Sequence, residues 1–245
     1  ICSIGLCYGP EYVHSVTQSS PTDTPVVQNW SPQEHFGSQA NDLKPRDGDS
    51  YLLLSTGVAN SSSHDTALGG TSVTDPFSGG LQSMFDAIEV KFSLTAPPDA
   101  TGIRLEYVFM SAEYEEKLGQ KNSDKFYLLM NAPESTGGEL KIINLAGCLD
   151  PDEVKDFVED GEPLCAIGVN SVFSESCDDP YTDLTGTGYE CGSSADASDG
   201  SSTGWVRTSW PVKGGETFEL TLHLHDSKNA QSDSTVIVDS FRWLT

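Results

Sequence analysis

Glu113, Asn122 and Asp124 flank one short loop, while Asp226, Asp233 and Asp239 lie around the last hairpin of the chain. Hard cations such as calcium take about six to eight oxygen ligands from carboxylates, amides and main-chain carbonyls. If a sheet brings the two regions together, these six side chains can share one ion, so calcium is the expected cofactor. The competing reading is that they cap turns and accept backbone amides. No EF-hand spacing is present. A second acidic group, Asp178, Asp179, Asp183, Glu190, Asp196 and Asp199, sits in a Gly/Ser-rich stretch and reads as a solvated loop.

Other chemistry is less well signalled. His223 and His225 are two apart on an expected strand, so both rings point to one face. Leu220, Leu222 and Leu224 claim the opposite, buried face, which leaves the histidines as surface residues rather than a zinc or copper site. Glu113 with Glu115 or Glu116 is the obvious carboxylate pair for a glycosidase-like dyad. Acids are so abundant that no single pair is informative. There is no G-x-S-x-G, no H-E-x-x-H and no phosphate-cradling glycine loop. The expectation is a non-enzyme. Trp30, Trp205, Trp210 and Trp243 offer flat faces on which a sugar can stack. Trp205 and Trp243 fall in expected strands and read as core, and Trp30 is the most open to binding.

Charge narrows the partners. There are 37 Asp and Glu against 13 Lys and Arg, a net charge of −24. Phosphate backbones need a basic surface, so a nucleic-acid partner is excluded, as is an anionic membrane surface. Six cysteines, Cys2, Cys7, Cys148, Cys165, Cys177 and Cys191, form no C-x-x-C pair and have no histidine at zinc-finger spacing. They read as disulfides, which implies an oxidising, extracellular or cell-surface setting. Short loops favour Cys2–Cys7, Cys148–Cys165 and Cys177–Cys191.

The elements that must position these groups are mostly strands. Ile88, Val90, Phe92 and Leu94 alternate with polar residues, as do Ile103, Leu105, Tyr107 and Phe109. Residues 51–54, 126–130, 140–145, 166–173, 205–210, 218–224 and 235–243 read as further strands. One helix is expected near Asp150–Asp160, with Asp150 as cap, Pro151 at the first position and Gly161 as terminator. A second short helix near 31–41 fits Ser31-Pro32. The fold expected is all-β, an antiparallel sandwich of jelly-roll type with one short helix and long loops. It occupies residues 50–245, after an irregular N-terminal arm over residues 1–49.

Several spaced motifs carry a resemblance. Ser55-Thr56-Gly57, Met110-Ser-Ala-Glu-Tyr-Glu-Glu116, Asn122-Ser-Asp-Lys-Phe126, Gly168-Val-Asn-Ser-Val172, Gly214-Gly-Glu-Thr217 and Asp233 through Phe241 resemble the choice-of-anchor L domain family over residues 50–245. Ala112 departs from that family's usual pair of acids before the tyrosine. The resemblance implies a bacterial extracellular β-sandwich, often part of a larger surface protein, and no established activity.

Three functions follow as expectations. The first is a structural or adhesive surface module, stabilised by calcium and able to assemble into filaments. In it Val13–Thr17 or Thr24–Gln28 of the arm pairs with the edge strand of another copy or another surface protein; the alternative is that the arm's apolar residues cover this chain's own sandwich. The second is a carbohydrate-binding module that takes glycans, and the third a secreted hydrolase.

Overall fold

The computed structural model describes residues 4–6, 12–19, 27–28, 36–59, 62, 64, 73–77, 82–114, 116–175, 182–190, 200–228 and 232–245. Two antiparallel sheets face each other. The first runs in the order β1 (Val13–Ser19), β5 (Ser83–Thr95), β14 (Thr217–Ser227), β7 (Lys125–Asn131), β8 (Leu140–Ile142), with β4 (Val73–Thr74) also on β5. The second runs β12 (Ser201–Ser202), β6 (Gly102–Ser111), β15 (Ser234–Leu244), β3 (Leu52–Ser55), β2 (Val27–Gln28), with β13 (Val206–Pro211) also on β6.

The core follows from period-two alternation. Ile88, Val90, Phe92 and Leu94 of β5 and Leu220, Leu222 and Leu224 of β14 meet Leu105, Tyr107, Phe109, Val236 and Val238 of the second sheet. On β14 the inward series 218, 220, 222, 224 ends at a bulge between Leu224 and Asp226, which turns Asp226 into the interior.

Both outer faces are covered as well. Over the second sheet, Phe36, Leu43, Leu184 and Tyr189 pack on Leu53, Val108, Met110 and Ile237. Over the first, a small sheet of β10 (Phe157–Glu159), β11 (Glu162–Cys165) and β9 (Ala146–Gly147) brings Phe157 and Ala166 against Tyr127 and Leu129.

Three local expectations are corrected. No helix forms at Asp150–Asp160. Asp150 Oδ1 accepts the amides of Asp152 and Glu153, and Val154 N donates to the Asp150 carbonyl, making a single turn. The chain then enters β10. Asp160 and Gly161 both have positive φ, 51° and 87°, and form the tight primed turn that joins β10 to β11. The glycine that reads as a helix terminator is a hairpin glycine. Residues 166–173 are not a strand but turns with two isolated bridges, Phe126 to Ile167 and Cys148 to Ser171.

The third concerns the arm, which lies on this chain's own sandwich, the alternative to docking on a neighbour. Val13–Ser19 is a strand of the chain's own first sheet, paired with Leu94 through Glu89, and Val27–Gln28 pairs with Leu53 and Leu52. Ile4 and Leu6 sit in the central core. The expected helix at 31–41 falls partly outside the described residues, and 36–41 are bends and turns. Cys148 and Cys165 form a disulfide across the cover sheet. Cys2, Cys7, Cys177 and Cys191 lie outside the described residues.

Candidate functional site: a buried carboxylate knot

One end of the sandwich gathers the ends of β3, β6 and β14 and the starts of β7 and β15. Four nominated side chains meet there. Glu113, Asp124, Asp226 and Asp233 are each no more than 1% exposed. Asp124 links the sheets: its Oδ1 accepts Ser227 N at 2.9 Å, and its Oδ2 accepts the Ser234 hydroxyl at 2.7 Å. Glu113 Oε2 accepts the main-chain amide of Asp124 at 2.6 Å and so closes the intervening loop. Glu113 N in turn donates to the Ser111 hydroxyl, which contacts the Ser234 hydroxyl.

The backbone is shaped for this. A Cβ on Gly57 would stand 1.9 Å from Asp233 Oδ2, and one on Gly168 would stand 2.6 Å from the Asp124 carbonyl oxygen. Both positions need glycine because a carboxylate or a main-chain oxygen fills the space. Asn170, on the turn after Gly168, accepts Gly119 N and donates to Gln120 O and the Ser123 hydroxyl. It fixes the 117–123 loop from outside. Segments scattered along the sequence, from Ser55-Thr56-Gly57 to Asp233, thus converge on one knot.

The electrostatics are severe. Burial, and then the Asp124 charge, pushes the Glu113 carboxyl up to about 10. Burial pushes Asp124 up to about 6, against the pull of the Ser234 and Ser227 hydrogen bonds. Asp226 is held well above its ordinary value by burial and then by Asp124. Its carboxyl lies against Asp124 and Thr56, yet neither oxygen meets a donor in hydrogen-bonding geometry among the described residues, and nor does Glu113 Oε1. Among the described residues, no three Asp, Glu, His or Cys side chains are grouped so as to hold a metal ion. What a cation would find is three buried, uncommitted oxygens beside two further carboxylates. Oxygen-only donors of that kind suit calcium and not a soft metal.

Two nominated residues lie elsewhere. Asp239 is six residues beyond Asp233 on β15, on the order of 20 Å along an extended strand. It accepts the amides of Arg46, Asp47 and Ser240. Asn122 lines a cavity on the outer face of the first sheet. The carboxylate dyad also separates, because Glu113 is buried while Glu116 is exposed, and Glu115 lies outside the described residues. In the second acidic group, Asp183 caps Thr185 and Glu190 accepts Gly186 N and Gly188 N. Asp178, Asp179, Asp196 and Asp199 lie outside the described residues.

The histidines are corrected too. His223 and His225 are 4% and 0% exposed. Tyr127, which the cover sheet packs against, lies beside both: the His223 ring stacks on it and the His225 ring is tilted to it. Glu89 Oε1 meets His223 Nδ1 at 2.9 Å, and His223 Nε2 meets His225 Nδ1 at 3.0 Å. Beside them, Lys125 Nζ donates to Asp156 at 2.8 Å and to Gln82 at 3.0 Å. The alternation of β14 correctly assigns them to the outer face and says nothing of what covers that face.

The tryptophans are mostly occupied. Trp243 packs edge-on to Phe241 and Phe218, and Trp210 lies against the core. The Arg46 guanidinium sits 4.9 Å over the half-buried Trp205 ring. Trp30 lies outside the described residues.

No curated protein matches the sequence significantly. A carbohydrate-binding module solved with beta-1,4-galactotriose is similar over 98% of this chain and 94% of its own, at 9% identity and a TM-score of 0.37. The enzymatically active domain of tailspike protein 4 of bacteriophage CBA120 is similar over 98% of this chain and 21% of its own, at 10% identity and a TM-score of 0.30. Likeness at that level bears on neither ligand nor activity. The profile of the Choice-of-anchor L domain matches residues 39–242. The chain therefore belongs to the choice-of-anchor L domain family, a family of surface-associated or secreted bacterial proteins.

Proposed function

We propose that this chain is a non-catalytic structural or adhesive module displayed outside the cell, locked in its folded form by a calcium ion in the carboxylate knot. One observation carries the reading: Glu113, Asp124, Asp226 and Asp233 are shut away from solvent, where no substrate reaches them, and three of their oxygens meet no donor in hydrogen-bonding geometry among the described residues. Buried like charges cost several kcal/mol unless a counter-charge or protons neutralise them. Extracellular calcium supplies that counter-charge. Glu113 Oε1 and the Asp226 carboxyl would bind it, with Asp233 and Asp124 adjacent. The ion would tie both sheets at one end and hold the signature segments in register. Filament assembly draws no support from the arm, because Val13–Ser19 is already a strand of its own sheet.

The test is thermal melting of the whole chain in chelator and in calcium. An ion that binds only the folded state adds about 2.7 kcal/mol at a hundredfold excess over its Kd. For a chain of this size that is about 5–10 °C in Tm. Calcium should raise the melting point by that amount and magnesium should not, because it demands tighter octahedral geometry. A melting point indifferent to both chelator and calcium removes the ion from the proposal.

A further inference from the structure

We propose that the cavity beneath the cover sheet binds a carboxylate-bearing sugar, a single hexuronate ring. This goes beyond the reading above and does not depend on it. The cavity holds about 270 Å³ on the outer face of the first sheet. That is just below the ordinary range of ligand pockets, about 300–1,000 Å³, and leaves room for no more than one ring.

Its charge runs against the rest of the molecule. In a chain with 37 acids and 13 bases, three lysines, Lys121, Lys125 and Lys155, line this one cavity against a single carboxylate, Asp156. Lys125 is only 3% exposed. Its ammonium has three N–H donors and, among the described residues, spends two, on Asp156 and Gln82. The amide nitrogen of Asn122, also on the wall, is buried and donates no hydrogen bond among the described residues. Buried donors without acceptors are costly, and an anionic ligand oxygen would satisfy both.

The other walls are aromatic. Phe77 packs edge-on to Tyr127 with ring centroids 5.3 Å apart, and Phe157 closes the side. An inorganic anion has no use for aromatic walls, and a neutral sugar has no use for three lysines. A hexuronate has the carboxylate for the lysines, the C–H face for the rings and hydroxyls for Asn122 and Gln82. The two exposed lysines stand on held backbone. Lys121 is on the loop clamped by Asn170, and Lys155 is on the turn enclosed by the Cys148–Cys165 disulfide. A pre-formed wall lowers the ordering cost of binding.

The experiment is calorimetric and NMR titration of the intact protein, in calcium, with sodium glucuronate, glucose and sodium acetate. Glucuronate should bind at least tenfold more tightly than either of the others. The double variant Lys121→Gln/Lys155→Gln changes two exposed side chains and should keep the wild-type melting point while weakening glucuronate at least fivefold. Equal binding of acetate would mean an anion hole only, and equal binding of glucose a neutral-sugar site. Either result, no binding of any probe, or an unchanged affinity in the double variant would overturn the proposal.

Discussion

The Ser234 hydroxyl donates to Asp124 Oδ2 at 2.7 Å, joining the first residue of β15 in one sheet to the residue that leads into β7 in the other. A polar pair thereby does at this end what apolar packing does through the middle of the sandwich. Burial makes charge on Asp124, Glu113 and Asp226 costly and raises all three carboxyls.

Glu113→Gln should therefore change sign with conditions. Glutamine keeps an oxygen for the Asp124 amide and removes the charge. Glu113 has a folded pKa raised to about 10 from an ordinary 4.5, by burial and then by Asp124. A raised carboxyl pKa contributes stability that is present below the unfolded value and lost as pH climbs through the folded one. In chelator the variant should match wild type near pH 4 and exceed it by about 1–4 kcal/mol at pH 8 and above. In calcium at pH 8 the order should reverse, because a ligand is gone. Denaturant midpoints at the two pH values, with and without calcium, give the four numbers. The same order in all four conditions would refute the linkage.

Gly57→Ala should be among the most damaging single substitutions. The new methyl would overlap Asp233 Oδ2, and the carboxylate has nowhere to retreat because Asp233 is fully buried. Overpacking of this kind costs about 3 kcal/mol. Gly48→Ala, where no atom lies within 4 Å of the new carbon, serves as the control and should suffer only backbone strain at its φ of 69°. Urea unfolding of the pair checks the difference.

Glu216 tests a different end of the molecule. It accepts the amides of Glu134, Ser135 and Lys213 and the Ser135 hydroxyl. Burial pushes its carboxyl up, but those hydrogen bonds outweigh burial and hold it below its ordinary 4.5. A lowered carboxyl pKa gives stability that is present above the unfolded value and lost as pH falls through the folded one. Glu216→Ala should cost about 2 kcal/mol at pH 7. The gap to wild type should shrink steadily below pH 4, as seen by denaturant midpoint. A gap that stays constant down to pH 2 would contradict the assignment.

Opening the Cys148–Cys165 bridge should loosen the cover more than the core. The bridge spans 17 residues. Closing a loop of that length stabilises by about 3 kcal/mol when the whole chain unfolds together. The Cys148→Ser/Cys165→Ser variant should be cut by protease within 149–164 well before the sandwich melts. Cleavage there at the wild-type rate would mean the cover is held without it.

The sandwich was legible because its long strands alternate. Ile88 to Leu94 and Ile103 to Phe109 point inward as their spacing demands. The knot was half legible: Glu113, Asp124, Asp226 and Asp233 are acids at strand ends, whereas Asp239 is an acid inside a strand whose bulge between Asp239 and Arg242 turns it to the Arg46 and Asp47 amides. Asp160-Gly161 was the missed signal. That dipeptide is a strong hairpin mark, but Asp150-Pro151 with Glu153 imitates a helix start, and the two readings compete over ten residues. The burial of His223 and His225 could not be read locally, since it depends on a cover that comes from residues some sixty positions earlier in the chain.

β15 is flanked by β6 on one side and β3 on the other, and its ladder with β6 runs from Ser234 to Leu244. Ladder hydrogen bonds lie across the strands. A pull along the axis of β15 would load the bonds on both flanks together, in shear, instead of peeling them one at a time. Along Thr235–Val238, where both neighbours are bonded, β15 would resist being drawn out along its own axis more than being peeled away sideways.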